Sequence, residues 1–139
     1  MKRGNFIFLT AIVFVAVTLA LAAADWKEKR LEAVTGQDGV QRVEIAAGGY
    51  YFDPNTIVVK VNVPVELVVK RTPGGFGHNI VLHEPEAGID FQEALGTDPK
   101  SITFTPTKAG RYMSICSHKV PFSKSHQQRG MYGYLEVVE

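Results

Sequence analysis

Residues 52–69, FDPNTIVVKVNVPVELVV, decide the fold class of this chain. Branched apolar side chains dominate residues 56–61 and 63–70, and a proline lies just before the first segment and near the start of the second. Short runs of this kind between turn residues are typical of β-strands, because branched side chains pack well on a pleated surface. The stretch therefore predicts two successive strands.

The same pattern continues on both sides of this stretch. Turn-forming sequences, among them TPGGFG at 72–77, separate further short apolar segments that predict strands. These segments are residues 43–45, 79–82, 101–105, 111–117 and 131–138. Helical periodicity is weak, and only residues 121–129 and 90–95 are candidates for a helical turn. The sequence predicts an all-β domain over residues 41–139, a Greek-key antiparallel β-sandwich.

The N-terminus carries the features of an export signal. Lys2 and Arg3 precede an uncharged run over residues 6–24, and Ala22 and Ala24 supply the small side chains that a signal peptidase selects. The run is also nearly long enough to span a bilayer as a helix. Residues 1–24 are thus either a cleaved signal peptide or a retained membrane anchor. Both place the domain outside the cytoplasm, in the periplasm or a similar compartment, with residues 25–40 as a linker.

Overall charge and cysteine content limit the possible functions. The net charge of +1 gives no reason to expect a nucleic-acid partner. The only cysteine of the chain is Cys116, and an unpaired cysteine in an exported protein forms an intermolecular bridge, remains a free thiol or binds a metal. A single cysteine also excludes a dinuclear copper centre built on two thiolates of this chain.

Residues 116–131, CSHKVPFSKSHQQRGM, contain this cysteine together with two histidines and a methionine. Cys116 lies where the penultimate predicted strand ends, Met131 where the last one begins, and His126 between them. His78 precedes an earlier strand, directly after a glycine-rich turn. Because loop ends gather at the two poles of a sandwich, these four side chains could meet. Two imidazoles and a thiolate, with a weak axial thioether, suit copper. Singly, each has a simpler explanation as a core or turn residue.

The chain resembles the cupredoxins, the small blue-copper proteins. The resemblance lies in residues 52–69, GHNIVL at 77–82, TFTPTKAGRYMSIC at 103–116 and HQQRGMYGYLEVV at 126–138. It implies one mononuclear copper ion bound by His78, Cys116, His126 and Met131. The implied function is one-electron transfer to transient redox partners and not enzymatic catalysis. It also implies that Asn79, after the first histidine, ties the two ligand loops together by hydrogen bonds.

The loop between cysteine and second histidine is longer than in typical family members. Nine residues, SHKVPFSKS, separate Cys116 from His126. His118 is the alternative second imidazole, because positions i and i+2 of a strand face the same side. If both histidines bind, a three-nitrogen centre with Met131 displaced would suit substrate binding better than electron transfer.

The long loop also leaves two interpretations of its surface open. Pro121, Phe122, Met131 and Tyr132 could form an apolar patch around His126, with a basic rim of Lys119, Lys124 and Arg129, on which partners dock. Alternatively, Phe122 could fold back and cover the copper. His83 and Met113 are predicted to face away from the site. Besides the electron carrier, the sequence allows a copper-handling or storage protein, and a small copper enzyme or respiratory-complex subunit with an open copper site.

Overall fold

The computed structural model describes residues 26–139, which form a sandwich of two β-sheets. The strands of this part of the chain are, in order, β1 (Arg30–Glu32), β2 (Val34–Thr35), β3 (Gln41–Gly48), β4 (Tyr51–Asp53), β5 (Thr56–Lys60), β6 (Val65–Arg71), β7 (His78–Glu84), β8 (Ile89–Leu95), β9 (Lys100–Phe104), β10 (Gly110–Ile115) and β11 (Tyr132–Val138). One sheet has the order β1-β5-β11-β10-β7-β8, and the other β2-β3-β6-β9 with β4 beside β3. The all-β sandwich predicted from the sequence is confirmed.

The prediction of an antiparallel sandwich needs correction, because three strand pairs are parallel. β5 pairs in parallel with both of its neighbours, β1 and β11, and β3 pairs in parallel with β6. The cause is the crossing of the chain between sheets: β5 and β6, the two strands predicted from residues 52–69, lie in different sheets. β5 and β6 therefore pair with strands that are distant in sequence, and such partners can run parallel or antiparallel to them.

Alternating burial along the strands builds the core between the sheets. In β3 and β6 every second residue is buried, as expected for strands with one face toward a core. Branched aliphatic side chains from both sheets meet there: Val43, Ile45, Ile57, Val59, Val65, Leu67, Val69, Ile80, Leu82, Ile89, Ile102, Leu135 and Val137. Cys116 and Met131 belong to the same buried cluster, at one end of it. The core thus continues directly into the candidate site.

The segment interpreted as a linker, residues 25–40, is in its described part an integral piece of the sandwich. β1 extends the first sheet beside β5, and β2 pairs with β3. Trp26 attaches the beginning of this segment to the sandwich. Its indole stacks on the Tyr132 ring, with centroids 5.2 Å apart, and donates a hydrogen bond to the Tyr132 carbonyl. Short, exposed strands carry little hydrophobic pattern, so their pairing was not visible in the sequence.

Residues 90–95, a candidate for a helical turn in the sequence, instead belong to β8, which pairs with β7 along its whole length. The second helical candidate, residues 121–129, does contain a short 3-10 turn at Gln127–Arg129. Another 3-10 turn, Pro85–Ala87, joins β7 to β8. Within residues 26–139 no helix has the length and apolar character needed to cross a membrane. The predicted signal or anchor at residues 1–24 lies outside the described residues.

Candidate metal centre

Three adjacent strands bring the predicted ligands to one end of the first sheet. β7 begins with His78, β10 ends one residue before Cys116, and Met131 directly precedes β11. Ile115 pairs with Val81 on one side and with Tyr132 on the other, so these strand ends are neighbours. We call this end of the sandwich the ligand pole.

The side chains of His78, Cys116 and His126 converge there and are buried. Their potential ligand atoms all lie within 4.8 Å of one another. His126 Nδ1 is 3.1 Å from His78 Nδ1 and 3.4 Å from the Cys116 Sγ. Around a tetrahedral ion with metal–nitrogen bonds of about 2.0 Å and a metal–sulfur bond of about 2.3 Å, the nitrogen–nitrogen and nitrogen–sulfur pairs are separated by about 3.3 and 3.5 Å. The cluster therefore has the dimensions of a site for one metal ion.

Met131 lies beside this cluster and is completely buried. Its main chain is held on both sides, because its carbonyl accepts a hydrogen bond from the Cys116 amide and its amide donates one to the His126 carbonyl. With no exposure, Met131 is not part of the docking patch that the sequence suggested. Its backbone instead connects the cysteine and the second histidine of the cluster.

The long loop returns to its starting point before His126. The His126 amide donates a 2.9 Å hydrogen bond to the His118 carbonyl, so residues 119–125 leave the sheet and come back as a closed excursion. The His126 carbonyl then accepts hydrogen bonds from the amides of Arg129 and Met131. This closure explains how His126 reaches Cys116 despite the nine intervening residues.

His118 occupies a different position from the three clustered residues. Its side chain is exposed, and its Nδ1 is 4.0 Å from the Cys116 Sγ. Its ring stacks against that of His126 at a centroid distance of 5.7 Å. The sequence-based alternative, in which His118 replaces His126 in the cluster, is thus not what the geometry shows. His118 lies on the outer side of the same sulfur atom.

Asn79 ties the two ligand loops together, as the resemblance implied. Its Nδ2 donates to the Ser117 hydroxyl and its Oδ1 accepts from the Ser117 amide, both at 2.8 Å. The residues next to His78 and Cys116 are therefore joined by a pair of hydrogen bonds. Such a link fixes the separation of the two donor atoms without a metal ion.

The pKa values of both clustered imidazoles are lowered, which favours their neutral form. Burial lowers the pKa of His78 below its usual value, and the charges of His126, Arg71 and His118 lower it further. Burial likewise lowers the pKa of His126, assisted by His118 and Arg129. A neutral imidazole offers the lone pair that a metal needs, so the low pKa favours metal binding near neutral pH.

Tyr50 contacts the site, although it was not among the candidate site residues of the sequence analysis. Its ring meets the His126 ring edge-on at 4.9 Å, and the Arg129 guanidinium lies 5.1 Å above the Tyr50 ring. Tyr50 has a positive φ of 65°, in the turn after β3. In the sequence, the two glycines before Tyr50 were the signal that could have drawn attention to it, because they indicate a tight turn. A positive φ is uncommon for a tyrosine and calls for a structural explanation.

The surface around the ligand pole excludes one of the two interpretations of Phe122. This side chain is fully exposed and does not cover the cluster. Val120, two residues before Phe122, and Phe76, in the turn before β7, are also exposed, at 57% and 69%. Phe76 and Val120 line, with Tyr50, His118 and the basic Lys119, Lys124 and Arg129, a cavity of about 300 Å³ that reaches His126.

Two further predictions concerned residues that face away from the cluster. His83 is exposed on β7, where its Nδ1 is 2.8 Å from the Asp90 carboxylate. Met113 is 44% exposed on β10. Both predictions are confirmed.

No protein-family model and no curated protein matches this chain. Solved structures do match it. The metal-binding domain of the Cu(I)-exporting P-type ATPase CopA of Streptococcus pneumoniae D39 is 24% identical, with 81% of this chain and 99% of that one covered and a TM-score of 0.62. Auracyanin A of Chloroflexus aurantiacus, a "blue" copper protein, is 24% identical, with 72% of this chain and 100% of that one covered and a TM-score of 0.55. Rusticyanin of Thiobacillus ferrooxidans is 22% identical, with 78% of this chain and 82% of that one covered and a TM-score of 0.54.

These similarities establish the fold: the chain has the cupredoxin fold. On that fold, His78, Cys116, His126 and Met131 form a cluster with the composition of a mononuclear type 1 copper site. A thiolate, two imidazoles and a nearby thioether are the donors that copper accepts in both of its common oxidation states.

Proposed function

We propose that this cupredoxin-fold chain is a one-electron carrier that binds a single copper ion through His78, Cys116, His126 and Met131. One observation supports the proposal above all others: three soft or imidazole donor atoms within 4.8 Å are buried together. Copper bound there supplies a one-electron redox couple. The protein supplies donors that are already assembled, so little rearrangement accompanies the change of oxidation state.

Each side chain has a distinct role in this proposal. The Cys116 thiolate would be the strong sulfur donor to copper, and the Nδ1 atoms of His78 and His126 would be the two imidazole donors. The Met131 thioether would be a weak further donor. Asn79 holds the cysteine loop and the first histidine at a fixed distance through Ser117. The fold thus preorganises the donors instead of relying on the metal to collect them.

The proposed electron partner is a protein with an acidic docking surface. Residues 71–82 and 116–135, which form the loops and strand ends around the ligand pole, contain no Asp or Glu. They contribute Arg71, Lys119, Lys124 and Arg129. Exposed apolar side chains, Phe76, Val120 and Phe122, lie among these cations. An apolar contact with a charged surround favours brief encounters that are steered by electrostatics.

We further propose export to an extracytoplasmic compartment. The basic, apolar and small-residue regions of residues 1–24 support it. Trp26 packs on Tyr132, next to Met131, so the chain enters the sandwich at the ligand pole. Trp26 is two residues after Ala24, so the Cα atoms of these residues are at most roughly 7 Å apart. A retained anchor would therefore hold the ligand pole beside the bilayer and favour a membrane-bound partner. Cell fractionation and the mass of the mature chain distinguish anchor from cleaved signal.

Optical and EPR spectra of the copper-loaded full chain, with cyclic voltammetry, test the electron-carrier proposal. An intense visible thiolate-to-copper band and a reversible one-electron wave are expected. Absence of the band after stoichiometric copper binding would contradict a type 1 site. A slow, irreversible wave together with copper transfer to another protein would favour the copper-handling alternative, which the exposed His118 beside the Cys116 sulfur also favours.

A further inference from the structure

We propose that His118 captures incoming copper and passes it to the buried donors, and that it is absent from the final ligand set. This inference rests on the proposed copper site but concerns how that site is filled. It assigns a function to the one histidine of the ligand pole that the electron carrier itself does not use.

The cavity of about 300 Å³ at the ligand pole provides the route. It is open to solvent and lined by His118 and His126, together with Phe76 and Val120. Cys116 and Met131 have no exposed surface and His78 very little. An ion that arrives from solvent therefore meets the exposed His118 imidazole before it reaches the sulfur.

The position of the Cys116 sulfur makes a transfer between the two histidines geometrically simple. Its Sγ is 4.0 Å from His118 Nδ1 on the outer side and 3.4 Å from His126 Nδ1 on the inner side. The two rings are stacked at 5.7 Å. An ion held by the sulfur can exchange one Nδ1 atom for the other while the sulfur remains bound.

The transfer is a ligand exchange without electron transfer. Cu(I) leaves its carrier ligand and bonds to His118 Nδ1 and the Cys116 sulfur, while the thiol proton passes to solvent. Bonds to His126 and His78 then form as the bond to His118 breaks. Copper stays Cu(I) throughout, and no oxidant is needed. A two-donor site of a thiolate and an imidazole suits Cu(I), which accepts soft ligands and low coordination numbers.

Stopped-flow loading of the metal-free full chain tests this role. Under anaerobic conditions, with the thiol reduced, transfer of copper from a Cu(I)–bicinchoninate complex is followed by the loss of its colour. His118→Ala is expected to slow the transfer at least tenfold. His83→Ala is the matched control, because His83 is also exposed but lies away from the ligand pole, and it should load at the rate of the wild type.

The final product provides the second readout. After complete loading and oxidation, His118→Ala should show the optical and EPR spectra of the wild type. Equal loading rates in His118→Ala and wild type would overturn the proposal, as would an altered final spectrum, which would make His118 a permanent ligand. His118→Gln repeats the test if the alanine variant fails to fold. A wild type that loads through His118 but lacks the type 1 spectrum would contradict the electron carrier and leave the capture role supported.

Discussion

The main-chain amide of His126 donates a hydrogen bond to the carbonyl oxygen of His118, and this one contact closes the loop that separates them. Residues 119–125 consequently add exposed surface without moving His126 away from Cys116. The length of the loop in sequence is therefore a poor guide to the distance between donor atoms. The extra residues instead enlarge the exposed surface beside His126, where the proposed function places the arrival of copper and partners.

Cys116→Ser is expected to abolish the intense visible band of the copper-loaded protein, because that band requires a thiolate bonded to Cu(II). Serine is nearly the same size, so the fold should persist, and circular dichroism checks this. Met113→Leu is the control, since Met113 is exposed on β10 and faces away from the cluster. A serine variant with unchanged colour would remove Cys116 from the site.

Asn79→Ala should lower the free energy of unfolding of the metal-free protein by about 1–3 kcal/mol, because it leaves the Ser117 amide without its partner. Ser117→Ala removes only the hydroxyl contact and should cost less. Urea unfolding of both variants and of the double variant measures the coupling. If the two single variants cost the same, the amide hydrogen bond is not the main contribution of Asn79.

The sequence predicted the sandwich and the strand ends because they depend on local pattern, such as the alternation of apolar residues in β3. His78, Cys116 and Met131 lie next to strand ends and His126 lies in a loop, and it was the resemblance to the cupredoxins that implied the meeting of all four. Parallel pairing and the contact of Tyr50 with His126 were not predicted. Both arise from tertiary packing between distant segments, which leaves no periodic signal.

Met131→Leu should retain copper but raise the reduction potential. Leucine has a similar volume, so the buried position tolerates it at less than about 1.5 kcal/mol. It removes a sulfur donor that stabilises Cu(II), and the reduced form gains in relative stability. Voltammetry measures the shift. Complete loss of copper binding would contradict the axial role, since an axial thioether contributes only weakly to affinity.

Gly133→Ala should destabilise the fold by about 1–3 kcal/mol, because close packing leaves no room for a side chain there. A Cβ at Gly133 would lie 2.5 Å from the carbonyl oxygen of Asn55, which already accepts a hydrogen bond from the Tyr134 amide. Gly96→Ala is the matched control, since its Cβ would have no contact closer than 3.9 Å. Urea denaturation should separate the two variants; equal stability would show that β11 shifts to accommodate the methyl group.

Arg129→Gln should lower the reduction potential of the bound copper. The charge of Arg129 helps to lower the pKa of His126, and its guanidinium lies over the Tyr50 ring that contacts His126. A nearby cation disfavours the more positive Cu(II) state, so its removal stabilises Cu(II). Lys108→Gln is the control for net charge, because Lys108 precedes β10 at the opposite end of that strand from Cys116. A potential that falls equally in both variants would indicate a general charge effect and exclude a specific action of Arg129 through Tyr50 and His126.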